Sequence, residues 1–183
     1  MLAYRHPEFA EAKNMLSLIL FRHGKSDWDT PFANDHDRPL AHRGKDAARC
    51  MGRLLQQAGQ TPDLAICSSA LRAKDTLQLA ARAGRWDCAM RTEAGLYEAS
   101  SDSVLQLIRS TEGAVPCLLL TGHEPTFSDL ASRLVGSAML RVPTAAMLRI
   151  DFACEAWSQV GYGTGELRWL LPPKTVCKLK FKK

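Results

Sequence analysis

The sequence predicts one three-layer α/β/α sandwich built around a mostly parallel central sheet. Short apolar segments with the length of buried strands alternate with longer segments in which apolar residues recur at helical spacing. Such alternation is typical of a parallel sheet that carries helices on both faces. The chain has 183 residues, of which 46% are hydrophobic and 23% are charged, and this composition suits one globular domain with a single core.

The first strand is expected at Leu16–Arg22, which is a continuous apolar run. A polar loop follows it, and then a helix at 44–58, whose apolar residues keep helical spacing up to the stop signal Gly59. The next predicted elements are a strand at 64–67, a helix at 70–83 that Ser68 and Ser69 could cap, a strand at 87–92, a helix at 103–110, a strand at 116–120 and a helix that begins at Pro125.

Two late strands, at 145–152 and 166–171, complete a predicted catalytic domain at residues 15–173. The glycine-rich segment Gly161–Gly165 between them lacks the spacing of a nucleotide-binding loop and precedes no helix, so a hairpin turn is the better interpretation. Residues 1–14 have no pattern and are predicted to be an N-terminal extension, with Met15 an equally credible start.

The net charge of +5 is concentrated at the end of the chain. The chain carries 24 basic and 19 acidic residues, and residues 174–183 contain five lysines and no acidic residue. The rest of the chain is therefore formally neutral, and 174–183 is predicted to be a basic tail. A solvated terminus is the default expectation for such a segment.

Six cysteines, at positions 50, 67, 88, 117, 154 and 177, form no C-x-x-C pair. Because no signal segment is recognisable, we expect free thiols that pack as small hydrophobic residues in a reducing cytoplasm. No apolar run approaches the roughly 20 residues of a membrane-spanning helix. The histidines and cysteines lack the spacing of a zinc site.

Charged and imidazole side chains follow several of the predicted strands. Arg22 and His23 end the first strand, and His123 ends the fourth. Arg72 follows the second strand, and Glu98 lies in the loop after the third. In α/β sheets of this kind the ligand site lies beyond the carboxyl ends of the strands, so we expect these side chains to meet at one edge.

This set of side chains suits phosphoryl transfer. A neutral imidazole is a nucleophile that can form a phosphoenzyme intermediate. Guanidinium groups bind phosphate oxygens in pairs, and a nearby carboxylic acid can protonate a leaving group. The cluster has no obvious carboxylate pair for Mg²⁺, so we expect a reaction without a metal or another cofactor. Two buried structural histidines are the competing interpretation, which the adjacent Arg22 and Arg72 make less favourable.

Four motifs in one order along the chain resemble the histidine phosphatase (phosphoglycerate mutase-like) superfamily. They are Phe21–Trp28 with its Arg-His-Gly triplet, Asp37–Leu40 with Gly44, Cys67–Ala73 with Thr76, and Thr121–Pro125. The resemblance covers about residues 16–173. The stretch from Glu98 to Pro116 is too short for the cap of larger members, so the chain looks like the short SixA-like phosphohistidine phosphatase branch.

The resemblance implies a role for each matched residue. His23 would be the nucleophile, with its second ring nitrogen held by a backbone carbonyl. Arg22, Arg72 and His123 would form the phosphate pocket. Glu98 falls where many members keep the general acid.

Other residues of these motifs have less specific expectations. Lys25 and Ser26 could contact the substrate, and Trp28 could pack the loop or line the pocket. Ala41 stands where relatives often have Ser or Thr as a helix cap, which concerns stability. No partner is identifiable for His6, His36 or His42.

The implied activity is hydrolysis of an accessible phosphorylated group through a phosphohistidine enzyme intermediate, above all of phosphohistidine in a protein. A small-molecule phosphomonoesterase or a mutase is the alternative within the superfamily. A non-catalytic module that binds anions or nucleic acid through the tail is an alternative of another class. The expected partner is a phosphorylated protein or a small phosphate ester, without nucleic acid or membrane.

Overall fold

The computed structural model describes residues 15–137 and 139–178. The predicted extension at 1–14, with His6, and the last five residues of the predicted tail lie outside the described residues. The helices and strands of the described part are β1 (Leu16–Arg22), α1 (His42–Gln57), β2 (Leu64–Ser68), α2 (Leu71–Gly84), β3 (Ala89–Glu93), α3 (Ser101–Arg109), β4 (Cys117–Gly122), α4 (Thr126–Leu134), β5 (Met147–Phe152), β6 (Gly165–Leu171) and α5 (Pro173–Val176).

The six strands form one sheet in the order β3-β2-β4-β1-β5-β6. The pairs β3–β2, β2–β4 and β4–β1 are parallel, whereas β5 is antiparallel to both of its neighbours. The predicted mostly parallel sheet is therefore confirmed. Because β5 runs backwards, its first residues and the last residues of β6 lie at the same edge as the carboxyl end of β1.

The core has one layer on each face of the sheet. Along β1, Leu18 and Leu20 pack into the layer under α3 and α4, whereas Ile19 and Phe21 pack into the layer under α1 and α2. All four side chains are fully buried. Burial on both faces explains why this strand is continuously apolar, since each such side chain contributes about 1.5–3 kcal/mol when it leaves water.

Helices α2 and α1 both begin without a side-chain cap. The residue that precedes α2 is Ala70, whose side chain caps nothing, so the predicted capping by Ser68 or Ser69 is wrong. The chain is extended up to Ala70, and the Ser68 hydroxyl instead accepts the N–H of Ala70 at 3.3 Å. Helix α1 begins after Ala41 without a side-chain cap, as the alanine there predicts.

The expectation of six free cysteines is wrong for one pair. Cys50 on α1 and Cys177 after α5 form a disulfide across 127 residues of sequence, while the other four cysteines are free. Burial raises the pKa of Cys117 to about 12, so this thiol packs as the small hydrophobic residue that was predicted. The bond and the buried side chain of Val176 hold the first part of the predicted tail against the domain.

No helix in residues 15–137 and 139–178 combines the length and the apolar character that crossing a membrane requires.

Candidate active site

The carboxyl ends of the central parallel strands bring the predicted site residues to one edge of the sheet. Arg22 at the end of β1 pairs with Gly122 at the end of β4, and Cys67 in β2 pairs with Thr121. A cleft of about 640 Å³ opens at this edge. Every residue predicted for the site lines the cleft, namely Arg22, His23, Lys25, Ser26, Arg72, Glu98 and His123.

His23 is held as a neutral imidazole. Its Nδ1 lies 2.7 Å from the carbonyl oxygen of Gly24, which can only accept, so Nδ1 carries the proton and Nε2 has a free lone pair. Burial is the main cause that lowers the pKa of His23 to about 3, the nearby His123, Arg72 and Arg22 contribute to this total, and the hydrogen bond to Gly24 opposes it. The ring is therefore unprotonated at Nε2 at neutral pH, as nucleophilic attack requires.

The turn that carries His23 is fixed to two helices. The N–H of Gly24 donates to the Thr76 hydroxyl on α2 at 2.9 Å, and that hydroxyl donates to the carbonyl oxygen of Arg72 at 2.6 Å. On the other side Gly24 packs against Gly44 of α1, where a Cβ on Gly24 would lie 2.8 Å from the carbonyl oxygen. The turn that carries His23 and the backbone of Arg72 are thus joined through one hydroxyl, that of Thr76.

The two arginines are anchored by their terminal nitrogens. Nη1 of Arg22 donates to the carbonyl oxygen of Val142 at 2.9 Å. Arg72 is only 5% exposed and donates from Nη1 to the carbonyl oxygen of Asp35 at 2.6 Å and from Nη2 to its carboxylate at 2.8 Å. In both residues the buried Nε–H has no hydrogen-bond partner among the described residues. Each arginine thus presents a fixed charge and a free donor.

His123 lies beside His23, with 5.1 Å between the two ring centroids. Its Nε2 is 2.8 Å from the Ser68 hydroxyl, which accepts from Ala70 and so can donate its own proton to Nε2. The proton of the neutral ring is then on Nδ1, which is buried and has no partner within the described residues. Burial lowers the pKa of His123 to about 4, and Arg72 contributes to the shift.

Asp35 and Tyr97 also line the cleft, although neither was predicted from the sequence as a site residue. Asp35 accepts hydrogen bonds from Arg72, from Arg38 at 2.6 Å and from the Tyr97 hydroxyl at 3.1 Å. Burial tends to raise the pKa of Asp35, but the bond from Arg38 and the charge of Arg72 outweigh it, so this pKa is lowered. The only signal in the sequence is the position of Asp35, three residues before the Arg38 of a recognised motif.

His36 does have a partner, contrary to the expectation from sequence. Its Nε2 lies 2.9 Å from the Ser69 hydroxyl, and its ring packs edge-on against Tyr97 with 5.0 Å between centroids. Tyr97 in turn packs edge-on against His123 at 5.7 Å. Tyr97 and His123 line the cleft, whereas His36 is not among its lining residues and contacts Tyr97. His42 also has a partner, since its Nδ1 lies 3.0 Å from the Asp46 carboxylate at the exposed start of α1.

The remaining predicted residues lie toward the mouth of the cleft. Glu98 is exposed and has a left-handed backbone with φ of 53°. Ser26 is buried and accepts a hydrogen bond from Arg38, so it supports the loop. Trp28 fulfils both expectations, since it lines the cleft with 62% of its surface exposed and packs under the Arg38 guanidinium at 3.7 Å.

Together these groups can bind a phosphoryl group and attack it. Two guanidinium groups and the Nδ1–H of His123 offer donors to phosphate oxygens, while Nε2 of His23 supplies the electron pair. Within residues 15–137 and 139–178, no three His, Cys, Asp or Glu side chains are grouped as metal ligands.

Comparison with known proteins agrees with this chemistry. Residues 18–112 match the histidine phosphatase superfamily (branch 1). The chain belongs to this superfamily. An uncharacterized protein of Mycobacterium leprae is 34% identical over 119 residues, which make up 63% of this chain and 71% of that protein.

Solved structures of the superfamily share the fold. A protein of Agrobacterium tumefaciens assigned as the phosphohistidine phosphatase SixA has a TM-score of 0.74 at 26% identity, covering 86% of this chain and 98% of that one. The protein histidine phosphatase SixA complexed with tungstate has a TM-score of 0.75 at 24% identity, covering 90% and 100%. The resemblance that the four motifs indicated is therefore confirmed, together with the SixA-like fold.

Proposed function

We propose that this protein is a phosphatase that works through a phosphorylated His23 and that its substrate is phosphohistidine in a protein. The observation that carries the proposal is the state of His23. Its Nδ1 is bound to a backbone carbonyl and its unprotonated Nε2 is free, in a cleft with two anchored arginines. Arg22, Arg72 and His123 supply the positive charge and donors that a transferring phosphoryl group needs, so the proposed reaction requires no metal.

In the first step Nε2 of His23 attacks phosphorus in line with the leaving group. A bond forms between phosphorus and Nε2, and the bond between phosphorus and the substrate imidazole breaks. The substrate reacts as a phosphoimidazolium, which carries a proton on its other ring nitrogen, so the leaving imidazole takes the electron pair of the broken bond and leaves as a neutral group. The Nδ1–H of His23 stays hydrogen-bonded to the Gly24 carbonyl oxygen throughout.

In the second step water attacks the phosphorylated His23. A bond forms between phosphorus and the water oxygen, the bond to Nε2 breaks, and its electron pair returns to the imidazole. The proton lost by the water goes to the released phosphate. Arg22 and Arg72 hold the same phosphoryl oxygens in both steps, because a fixed set of donors stabilises two similar transition states.

Two features favour phosphohistidine over a phosphate ester. The cleft is open, since the segment between β3 and α3 contains only a short turn at Ala94–Leu96 and the exposed Glu98. A protein side chain can therefore enter. The leaving imidazole brings its own proton, whereas the alkoxide of an ester would need an acid, and Glu98 is the proposed source in that case.

The mechanism is tested by replacing His23 with alanine. We expect His23→Ala to lose turnover of an aryl phosphate, whereas the matched variant His42→Ala, on the exposed start of α1, keeps it. Brief reaction of the wild type with a radiolabelled substrate should give a label that is stable to base, labile to acid and located on His23. Retained turnover in His23→Ala, or a label on another residue, would contradict the mechanism.

The substrate class is tested by comparing kcat/KM for a phosphohistidine protein, a phosphoserine peptide and sugar phosphates. We expect the highest value for the phosphohistidine protein. The variant Glu98→Gln should leave that value unchanged and should slow esters with poor leaving groups. A higher kcat/KM for a sugar phosphate would favour the small-molecule phosphomonoesterase.

The cytoplasmic location predicted from the sequence is part of the same proposal. A reducing cytoplasm keeps most thiols reduced. Within this proposal the Cys50–Cys177 bond is an exception, because the fold closes it between α1 and the segment after β6.

A further inference from the structure

A second depression adjoins the cleft at the same edge of the sheet. This groove has a volume of about 810 Å³ and shares Lys25 and Thr144 with the cleft. Its walls are the first turns of α1, the loop before β5 and the segment after β6. Besides the shared pair, they contribute Arg43, Asp46, Ala47, Cys50, Pro143, Ala145, Pro172, Pro173, Lys174, Cys177 and Lys178.

The groove is basic along its rim and apolar inside. Lys25, Arg43, Lys174 and Lys178 line it, and Asp46 is the only carboxylate among its lining residues. Asp46 is already paired, with Arg49 at 3.1 Å and with His42 at 3.0 Å. The lining cations therefore remain available to an anionic partner, and the prolines between them offer apolar contact area.

The lysines from the C-terminal segment are held in place. The disulfide from Cys177 to α1 and the buried side chain of Val176 fix this segment between Lys174 and Lys178. Both lysines are exposed. The segment thus presents part of the basic tail at a fixed position beside the active site, and three more lysines follow in the sequence. Part of the excess positive charge of the tail therefore lies at the groove, next to the cleft.

We propose that the groove binds an acidic segment of the protein substrate while the phosphorylated side chain occupies the cleft. The inference rests on the proposed function and adds a substrate feature to it, namely acidic residues next to the phosphorylated side chain in space. A segment that enters from the groove passes Lys25 and Thr144 before it reaches His23, so one substrate can occupy both sites at once. Binding at the groove would add affinity without taking part in the chemistry.

An acidic protein segment fits this surface better than a nucleic acid. Proteins that bind single strands combine positive charge with aromatic side chains on which bases stack, and no aromatic residue is among the lining residues of the groove. The concave shape and the proline-lined floor suit an extended peptide, whose backbone and small side chains can lie between the cationic walls. Single-stranded RNA and anionic vesicles are therefore the probes that compete with an acidic peptide for the groove.

The decisive experiment reverses the charge of the two fixed lysines. For wild type and for Lys174→Glu/Lys178→Glu, kcat/KM is measured with an aryl phosphate and with two phosphohistidine peptides that differ only in flanking Glu or Ser residues. We expect the wild type to prefer the Glu peptide about tenfold at low salt and less at high salt, as several surface charge pairs allow. The variant should lose the preference and keep its aryl phosphatase activity.

A matched control separates the groove from overall charge. Arg82→Glu/Arg91→Glu makes the same change in charge on α2 and on the edge strand β3, and it should keep the preference. The single variant Arg43→Glu, on the opposite wall of the groove, should reduce it. If the wild type does not distinguish the two peptides, or if the control variant also loses the preference, the proposal is overturned.

Direct binding keeps this test independent of the catalytic proposal. A fluorescent, unphosphorylated glutamate-rich peptide should bind to the His23→Ala protein with an affinity that falls with salt and with the Lys174→Glu/Lys178→Glu change. If the peptide binds but the His23→Ala protein still hydrolyses the aryl phosphate, the proposed function fails while the groove stands. If RNA or vesicles displace the peptide and bind more tightly through the same lysines, the choice of an acidic protein segment is wrong.

Discussion

Single residues outside the recognised motifs set the geometry of the arginines in the cleft. Asp35 shows this most clearly, because it accepts hydrogen bonds from Arg72, Arg38 and Tyr97 on three separate parts of the chain. The contact with Arg72 uses two terminal nitrogens of the guanidinium, one to the carbonyl oxygen and one to the carboxylate. Such a pair fixes the plane of the guanidinium as well as its position, so Nε–H keeps its direction.

Replacing the Asp35 carboxylate with an amide should therefore weaken catalysis without removing it. We expect Asp35→Asn to lower kcat/KM for an aryl phosphate about tenfold, equivalent to about 1.4 kcal/mol, because Arg72 and Arg38 lose a charged partner. The neighbouring Asp37→Asn is the control, since Asp37 is bonded to Asn34 and does not line the cleft. Equal effects of the two substitutions would show that Asp35 does not position Arg72.

The sequence was sufficient to place the cleft residues that lie at strand ends, but it was insufficient to place Asp35 and Tyr97, which lie in loops. Arg22, His23 and His123 could be placed because their positions follow from strand order, and parallel strands present their carboxyl ends at one edge. Asp35 and Tyr97 belong to loops whose path depends on tertiary packing. Their hydrogen bond joins residues that are 62 positions apart, and no periodic pattern of residue types indicates such a contact.

At the level of helices and strands, the active-site turn depends on the close approach of α1 to the loop after β1. Gly44 in the first turn of α1 is buried against this loop, and a Cβ on it would lie 2.2 Å from the carbonyl oxygen of Lys25. The N–H of Ala41 also donates to that oxygen at 2.9 Å, so the backbone there is held from two directions. The sequence placed Gly44 in a motif but could not show that backbone contact is the reason.

A methyl group at Gly44 should disturb both stability and activity. We expect Gly44→Ala to lower the free energy of unfolding by about 1–3 kcal/mol, as forced overpacking does, because the obstructing atom is backbone and cannot rotate away. Aryl phosphatase activity should fall as the His23 turn shifts. Urea unfolding and kinetics measure the two effects.

Gly161→Ala is the control for this change, since its Cβ would meet the nearest side chain at 3.6 Å, an ordinary contact distance. That variant should retain wild-type stability and activity. A Gly44→Ala protein with the stability and kcat/KM of the wild type would mean that α1 can move away from the loop without affecting the nucleophile.

Over the whole molecule, the Cys50–Cys177 bond closes most of the domain into one loop. The two residues are 127 positions apart, and the bond joins the helix that supports the His23 turn to the segment after the last strand. Sequence reasoning could not identify this pair, because the separation of two cysteines says nothing about their distance in space. The covalent loop restricts the unfolded chain, which is the main way a disulfide stabilises a protein.

Loss of the bond should therefore lower stability and also release one wall of the basic groove. We expect Cys177→Ser to reduce the free energy of unfolding by about 2–5 kcal/mol relative to the oxidised wild type, measured in guanidinium chloride without reductant. Reductant should destabilise the wild type to a similar degree and should not affect the variant. Cys154→Ser, which replaces a free cysteine, is the control. If oxidised wild type and Cys177→Ser unfold at the same denaturant concentration, the packing of Val176 alone holds the C-terminal segment against α1.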